Sequence, residues 1–459
     1  MSLQVEEPGP PAPGPRRRRI VLGLLTTVAV LASGATVAVV TTRGHDVAPS
    51  KPSTQRTPAP AAADTTPDAA GLRVQALQAL LQTRSRAVLA HDQATWMSTV
   101  DPDSRDFRQQ QATVFANLRA VPFSDWSYTY AGVAAAPSAS RQARLAGPSW
   151  VARVQAGYRL AGYDRASSLT EQFLTLVERH GQWYVGSTSD GQTVPQPWDL
   201  GRVRVVKGSR VLVLGTTSTA TLKEYASAGD RAVQQVSQVW GDAWPRKAVL
   251  VVPRTEKEMG RLLQRPPDGL SQIAAVTTGE LSEGDHGVAR SDRVVINPAA
   301  FQRLGPSGRR VVLAHEMTHV AVRSSTTAPV PIWLSEGFAD EVGYRDVGLS
   351  PRTIAADVLA LVRRGKGPRE LPGTDDFDPT KTTIAPAYSG AWLACRLIVD
   401  TYGERDLVRL YRAVATTPVG KDGPDPDAAT KAAFEKVLGT SVASFTAAWR
   451  DNLRALAGS

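Results

Sequence analysis

The chain has 459 residues, 42% hydrophobic and 21% charged, which is long enough for more than one globular domain. Its formal net charge of +10 is spread without a basic stripe of stacking aromatic residues, which argues against nucleic-acid binding and leaves anionic envelope polymers as possible partners. The single cysteine, Cys395, excludes an internal disulfide, and the sequence contains no phosphate-binding or dinucleotide-binding glycine motif.

The first 70 residues divide into three segments. Residues 1–19 are rich in proline, end in four arginines and are predicted to form a disordered cytoplasmic tail. Residues 20–42 carry no charge, and 23 such residues are enough for a helix across a ~30 Å hydrocarbon core. The arginines before this run favour a cytoplasmic N-terminus and an extracytoplasmic remainder. Residues 43–70 are rich in Pro, Ala and Thr and are predicted to be a linker.

A cleaved signal peptide is the alternative for residues 20–42. Ser33, Gly34 and Ala35 form a small-residue motif that would suit cleavage. The apolar run is longer than a usual signal-peptide core, and this favours an uncleaved single-pass anchor. The predicted location is therefore the cell membrane, with the folded part outside, and secretion after cleavage is the alternative.

Residues 71–198 predict a separate α+β domain. A helical stripe of leucines comes first, and apolar and aromatic residues then alternate as in strands, with His180 and Gly181 at a hairpin turn. Helices followed by antiparallel strands resemble, at the level of pattern, the nuclear transport factor-like, cystatin-like roll. His91 and His180 are interpreted as surface or turn residues, and no catalytic constellation is found in this domain.

Residues 200–459 predict a second α+β domain, with a small sheet beside helices and a helical C-terminal part. A polar, glycine-containing loop at 279–292 precedes the central helix. His286 in it is interpreted as solvated, and Glu280 is a candidate for holding a substrate N-terminus. The predicted strands are 203–206, 211–214, 248–252, 273–277 and 294–296, with a helix at 221–240 between the second and the third.

Residues 311–322, VVLAHEMTHVAV, contain the pattern H-E-x-x-H at His315, Glu316 and His319. Residues four apart lie on one face of a helix, so both imidazoles can bind one metal ion, and Glu316 can reach a water on it. Neutral imidazole nitrogens suit zinc, which keeps an open position in catalytic sites. The flanking apolar residues predict a buried helix, with Ser307 as its N-cap. The alternative to a metal site is that His315 and His319 are two core histidines without metal.

A second motif, WLSEGFAD at residues 333–340, supplies two more acids. Glu336 lies 17 residues after His319, beyond a polar, proline-containing loop that allows a second helix to return. The spacing predicts Glu336 as the third zinc ligand, and Gly337 as the residue that lets the two helices approach. Asp340, one turn later on the same face, is predicted to orient a ligating histidine.

HEMTH followed by WLSEGFAD resembles the gluzincin metallopeptidases, the superfamily of thermolysin and the zinc aminopeptidases, over roughly residues 200–457. The resemblance implies a minimal gluzincin catalytic domain, one zinc ion per chain and a peptide or protein substrate. The third histidine of the metzincins is absent, since Ser325 holds its position. The roles implied are zinc ligands for His315, His319 and Glu336, catalytic base for Glu316, and orientation of His315 for Asp340.

The resemblance also implies a donor to the reaction's oxyanion, because related enzymes use a tyrosine or histidine beyond the third ligand. No histidine follows His319, and Tyr388 stands at the start of a predicted helix, 387–402. Tyr402 and Tyr411 lie in apolar helical patterns and are predicted to be core. The alternative for Tyr388 is a packing role.

Together these features predict a membrane-anchored, extracytoplasmic zinc peptidase. The alternative is a surface binding or scaffold protein whose peptidase fold is no longer catalytic. The presence of Glu316 favours the peptidase, because a binding protein does not need a general base.

Overall fold

The structure is a computed structural model that describes residues 69–266, 270–271, 273–278, 291–378, 384–416 and 426–458. The predicted tail, anchor and nearly all of the linker lie outside these residues, as do Glu280 and His286.

The first part of the chain consists of helices packed on an antiparallel sheet. Its strands follow one another in the order β1-β2-β3-β4, and the β3–β4 hairpin turns at His180 and Gly181, as predicted. Both turn residues have left-handed backbone angles, with φ of 50° and 79°, which is the geometry of a two-residue hairpin turn. The elements are α1 (Ala69–Leu89), α2 (Gln93–Ser98), α3 (Arg105–Leu118), β1 (Phe123–Val133), α4 (Ala139–Leu145), β2 (Ser149–Leu160), β3 (Ser168–Arg179), β4 (Gln182–Ser187) and α5 (Pro197–Leu200).

The second part contains a five-stranded sheet and most of the helices. The strands are β5 (Arg204–Lys207), β6 (Val211–Gly215), β7 (Ala248–Val252), β8 (Ala275–Thr278) and β9 (Arg293–Ile296). The helices are α6 (Thr219–Trp240), α7 (Glu256–Leu263), α8 (Pro298–Arg303), α9 (Pro306–Arg323), α10 (Ile332–Tyr344), α11 (Pro351–Ile354), α12 (Ala356–Arg363), α13 (Ile384–Tyr402), α14 (Glu404–Ala415), α15 (Pro426–Leu438) and α16 (Val442–Gly458), with a 3-10 turn at Thr374–Phe377.

The order of the second sheet is β5-β6-β7-β9-β8. The β6–β7 and β7–β9 pairs are parallel, whereas β5–β6 and β8–β9 are antiparallel. Parallel neighbours need a crossover connection, and α6 supplies it between β6 and β7. The fold is therefore a mixed α/β arrangement rather than purely α+β.

No helix within the described ranges is both long and apolar enough to cross a membrane. The two longest show the reason: α1 contains Arg73, Arg84 and Arg86, and α6 contains charged residues from Lys223 to Arg231. This finding corrects the predicted fold class, because a single N-terminal transmembrane helix is not supported. The predicted location as a single-pass membrane protein conflicts with the same finding. Membrane contact through residues 20–42 is not supported, and neither are anionic envelope polymers as partners.

Helix α9 lies at the centre of the second part. Every residue from Val311 to Val322 is buried, because α9 is covered by α6, by β8 and β9 and by α10. Helix α10 in turn packs against α13 on its other side. Side chains on α9 and α10 therefore meet in the interior of the second part.

Two glycines set the spacing of α10. A Cβ on Gly337 would lie 2.3 Å from the backbone oxygen of Ala391 in α13, and one on Gly343 would lie 3.0 Å from that of Val311 in α9. The prediction that Gly337 permits the approach to the first helix is therefore wrong. Gly337 faces α13, and Gly343 is the residue at the contact with α9.

The two parts of the chain share an apolar cluster. The side chains of Leu212, Leu214 and Val249 project from one face of the second sheet and pack with Trp126 and Trp198. The alternate residues of β6, Val211 and Val213, project from the other face, towards α6. Polar contacts flank this cluster. The Asn117 amide binds the backbone of Trp198, Gly201 and Val203, and Arg293 forms a bidentate pair with Asp164, both distances being 2.7 Å.

Candidate metal centre

The N-cap of helix α9 lies two residues before the predicted one. Gly305 is the N-cap residue and Pro306 occupies the first turn, where its fixed φ suits a helix and its missing N–H is not needed. The prediction of Ser307 as N-cap is wrong, since Ser307 already lies inside the first turn. The helix then continues without a break through His315 and His319.

His315 is oriented by Asp340. The Nδ1 atom of His315 lies 2.8 Å from Oδ1 of Asp340, which belongs to α10, and both side chains are buried. Since a carboxylate can only accept, Nδ1 carries a proton, which leaves Nε2 as the nitrogen of His315 that can bind a metal. Nε2 is directed away from Asp340, towards His319.

Three donor atoms form a buried triangle. His315 Nε2 lies 3.1 Å from His319 Nε2, and Glu336 Oε2 lies 3.4 Å and 3.6 Å from these two nitrogens. A tetrahedral zinc ion with bonds of about 2.0–2.1 Å separates its ligands by about 3.3 Å. Within the described ranges, this is the one group of His, Cys, Asp and Glu side chains placed to hold a metal. The triangle therefore fits one zinc ion.

Glu336 adds a chemical reason for a cation. Its Oε2 atom is buried without a hydrogen-bond partner among the described residues, because 3.4 Å and 3.6 Å are too long for good hydrogen bonds to the imidazoles. A buried carboxylate oxygen without a partner is costly, and a metal ion at the centre of the triangle would satisfy it.

The charges of the cluster favour the same interpretation. Burial alone would lower the pKa of His315, but the Asp340 and Glu336 carboxylates outweigh it and raise that pKa to about 10. Burial would raise the pKa of Glu336, but the two imidazoles lower it to about 2. Without a metal the cluster retains a proton, and a bound metal ion would replace it.

Glu316 lies on the same helix and is held from the sheet. Its Oε2 atom accepts a 2.6 Å hydrogen bond from the Thr277 hydroxyl, and its Oε1 atom is buried without a partner among the residues described. Burial raises the pKa of Glu316, and the neighbouring histidines oppose this rise. One oxygen of Glu316 is therefore fixed and the other is available.

Thr277 was not identified from the sequence. It lies in β8, at the edge of the sheet, and is 4% exposed. Its only sequence signal is a hydroxyl residue at the end of a predicted apolar strand, and this pattern is common. The contact spans 39 residues of chain, so only the packing of α9 against β8 brings the two side chains together.

Tyr388 lies beside the triangle but not at a helix N-terminus. Helix α13 begins at Ile384, which puts Tyr388 in its second turn. The ring centroid of Tyr388 is 6.5 Å from that of His315 and 5.0 Å from that of Phe377, which it meets edge-on. Both predicted roles, oxyanion donor and packing residue, are compatible with this position.

The other histidines and tyrosine that the sequence analysis considered lie in turns or in the core. His91 and His180 have positive φ values in turns and are exposed. Tyr411 is buried against Trp240 and Phe338 in the core, as predicted.

Comparisons with known proteins find structural neighbours of low similarity. No family model matches the chain, and no curated protein matches it. Two solved structures of a mutant M1 zinc metallopeptidase from Deinococcus radiodurans align with 60% of this chain and 58% of theirs. The one bound to a Tyr-Ser-Ala substrate is 18% identical with a TM-score of 0.31, and the other is 17% identical with a TM-score of 0.30.

These neighbours belong to the predicted class of zinc metallopeptidases, but the likeness is too weak to assign residues or a reaction. The alignment covers just over half of the neighbours' length. The predicted nuclear transport factor-like assignment of the first part is not confirmed by any comparison.

Proposed function

We propose that this chain is a zinc-dependent peptidase of the gluzincin type. The observation that carries the proposal is the buried triangle of His315 Nε2, His319 Nε2 and Glu336 Oε2, with a glutamate fixed next to it. These three atoms would hold one zinc ion and leave its fourth position open. Asp340 would keep His315 in the tautomer that binds metal.

A zinc ion in this site would polarise the scissile carbonyl and make its bound water more acidic. Glu316 would take a proton from the attacking water and return it to the leaving amine. Thr277 fixes Oε2 of this carboxylate, so the proton would be taken by Oε1. Tyr388 would donate its hydroxyl hydrogen to the developing oxyanion.

A peptide substrate is supported by the position of β8. This strand is at the edge of the described sheet, and Thr277 connects it directly to Glu316. An extended peptide that paired with β8 would run past the proposed general base. A peptide bond is therefore the bond that the site is best placed to hydrolyse.

The test separates metal binding from catalysis. The purified chain should contain about one zinc per molecule and cleave members of a broad peptide library. Glu316→Gln should keep the metal and lose hydrolysis, because an amide cannot take the proton. His319→Ala or Glu336→Ala should lose the metal, whereas the exposed His180→Ala is the control that keeps both.

The rival function predicts a different outcome. If the wild-type chain holds stoichiometric zinc and cleaves no peptide in the library, the peptidase assignment is wrong and a binding or scaffold role is favoured. Equal hydrolysis by Glu316→Gln and wild type would exclude Glu316 as the general base.

A further inference from the structure

The first part of the chain contains a cavity of 460 Å³ that is separate from the metal centre. Helices α1 to α3 form one wall and the antiparallel sheet forms the other, with the segment before α5 at the side. Cavities of this size typically hold a small organic molecule. None of the proposed metal ligands lines it.

A buried arginine lines this cavity without an acidic partner. Arg84 is 3% exposed, and its two terminal nitrogens donate to neutral acceptors, the Thr99 hydroxyl and the Gln111 amide, each at 2.9 Å. The guanidinium lies 3.5 Å from the ring centroid of Trp96, and its Nε atom has no hydrogen-bond partner in the described part of the chain. Tyr128 also interacts with it, and burial lowers the pKa of Arg84.

Two other arginines with little exposure, in contrast to Arg84, each pair with a carboxylate. Arg293, which is 8% exposed, has a bidentate pair with Asp164. Arg179, which is nearly buried, has one with Asp101, at 3.0 Å and 2.9 Å. No such pair is found for Arg84 among the residues that the structure describes. Since buried charges are normally paired, the positive charge of Arg84 lacks the anion that the fold supplies to the other two.

Other donors on the cavity wall are also unpaired. The indole nitrogens of Trp96 and Trp126 are buried without acceptors among the described residues. The acid on the wall, Asp199, accepts the backbone N–H of Gln196, and burial raises the pKa of Asp199 to about 6. Arg261 lies next to it and is exposed. The wall thus has buried donors without acceptors and, with two arginines and one aspartate, a net positive charge.

We propose that this cavity binds a small organic monocarboxylate. Its carboxylate would accept from Arg84, and its apolar body would pack against Val114, Leu118 and Leu174. A single negative charge matches the single unpaired positive charge in the wall. A phosphate dianion would leave excess negative charge next to Asp199, so a carboxylate is favoured.

The test is a titration of the full chain by calorimetry, with 3-phenylpropionate and octanoate as probes and 3-phenylpropionamide as the uncharged match. The acids should bind saturably, one per chain, and the amide at least tenfold more weakly. Binding should persist after removal of metal with a chelator, because a carboxylate bound at the metal centre would be lost by that treatment. Loss of binding after chelation, or equal binding of acid and amide, would overturn the proposal.

Variants locate the site. Arg84→Met should weaken binding at least tenfold, whereas Arg86→Met, an exposed arginine on the same helix, should leave it unchanged. Thr188→Trp should block binding, because the indole would fill the cavity from the loop. If circular dichroism shows that Arg84→Met does not fold, Thr188→Trp is the variant that tests the site. Wild-type affinity in a folded Arg84→Met or Thr188→Trp variant, or no saturable binding of either acid to the wild type, would exclude this cavity as the carboxylate site.

Discussion

Thr277 connects the edge of the sheet to the proposed general base through one short hydrogen bond. Replacing the hydroxyl by a methyl group would leave a buried carboxylate oxygen without a donor, and hydrogen bonds to charged groups contribute about 1.5–3 kcal/mol. Glu316 would then be free to rotate away from the attacking water. If Thr277 had only a structural role, this replacement would change the stability of the protein and leave kcat unchanged.

Thr277→Val should therefore lower kcat by about ten- to a hundredfold with little change in KM or zinc content. Thr277→Ser keeps the hydroxyl and should restore most of the rate. Steady-state kinetics with zinc analysis of each variant provides the measurement. If Thr277→Val and Thr277→Ser have the same kcat, Thr277 does not position the base.

Tyr388 can be tested by removing only its hydroxyl. Loss of one oxyanion donor costs about 2.7–4 kcal/mol, so Tyr388→Phe should lower kcat by about a hundredfold or more, with KM little changed. The ring contacts with His315 and Phe377 remain in this variant, so zinc content and thermal stability should not change. Wild-type turnover by Tyr388→Phe would leave Tyr388 with a packing role only.

At the scale of elements, the position of Glu336 depends on how closely α10 approaches α13. Gly337, the residue after Glu336, is in contact with the backbone of Ala391, and a Cβ there would come within 2.3 Å of the Ala391 backbone oxygen. Backbone atoms cannot move aside as a flexible side chain can. Any residue other than glycine should therefore push α10 away from α13 and displace the ligand.

Gly337→Ala should destabilise the protein by about 1–3 kcal/mol and weaken zinc binding. Gly390→Ala, in the neighbouring helix, is the matched control, since its Cβ would meet the Trp449 ring at an ordinary 3.4 Å and alanine favours helix. Urea unfolding and chelator competition measure the two effects. Equal stability and zinc affinity in both variants would contradict the close-approach argument.

At the scale of the whole molecule, the two parts share an apolar cluster, but the candidate metal site is made by one of them. All three donor atoms come from α9 and α10, and their supporting residues come from α9, α10 and β8. The first part covers Leu212, Leu214 and Val249 on the opposite face of the sheet. It should therefore matter more for stability than for metal binding.

A chain that starts at Leu200 should still bind one zinc and hydrolyse a generic peptide, but it should unfold at lower urea concentration than the full chain. The reason for the lower stability is the exposure of those three apolar side chains and the loss of the Asn117 and Asp164 contacts. Zinc content and urea unfolding of both chains test this. A folded truncated chain that binds no zinc would mean that the first part completes the site.

Local patterns in the sequence were sufficient to identify the candidate metal-binding residues and much of the secondary structure. The spacing of His315 and His319 places them on one face of any helix, because the helical repeat is fixed by backbone geometry. The hairpin at His180 and Gly181 was predictable for a similar reason, since only certain residues tolerate its left-handed backbone. These features depend on neighbours within a few residues.

Contacts across long stretches of chain were decided only by the tertiary structure. Which helix Gly337 faces depends on the rotation of α10 between α9 and α13, and periodicity does not specify this rotation between two apolar neighbours. The Thr277 contact with Glu316 and the isolation of Arg84 from any described carboxylate likewise depend on which surfaces pack together. The sequence alone determined which residues could bind a metal, because that depends on residue type and local spacing. Packing determined which groups support them and where a second ligand could bind, because the free energy of burial depends on area and shape rather than on sequence order.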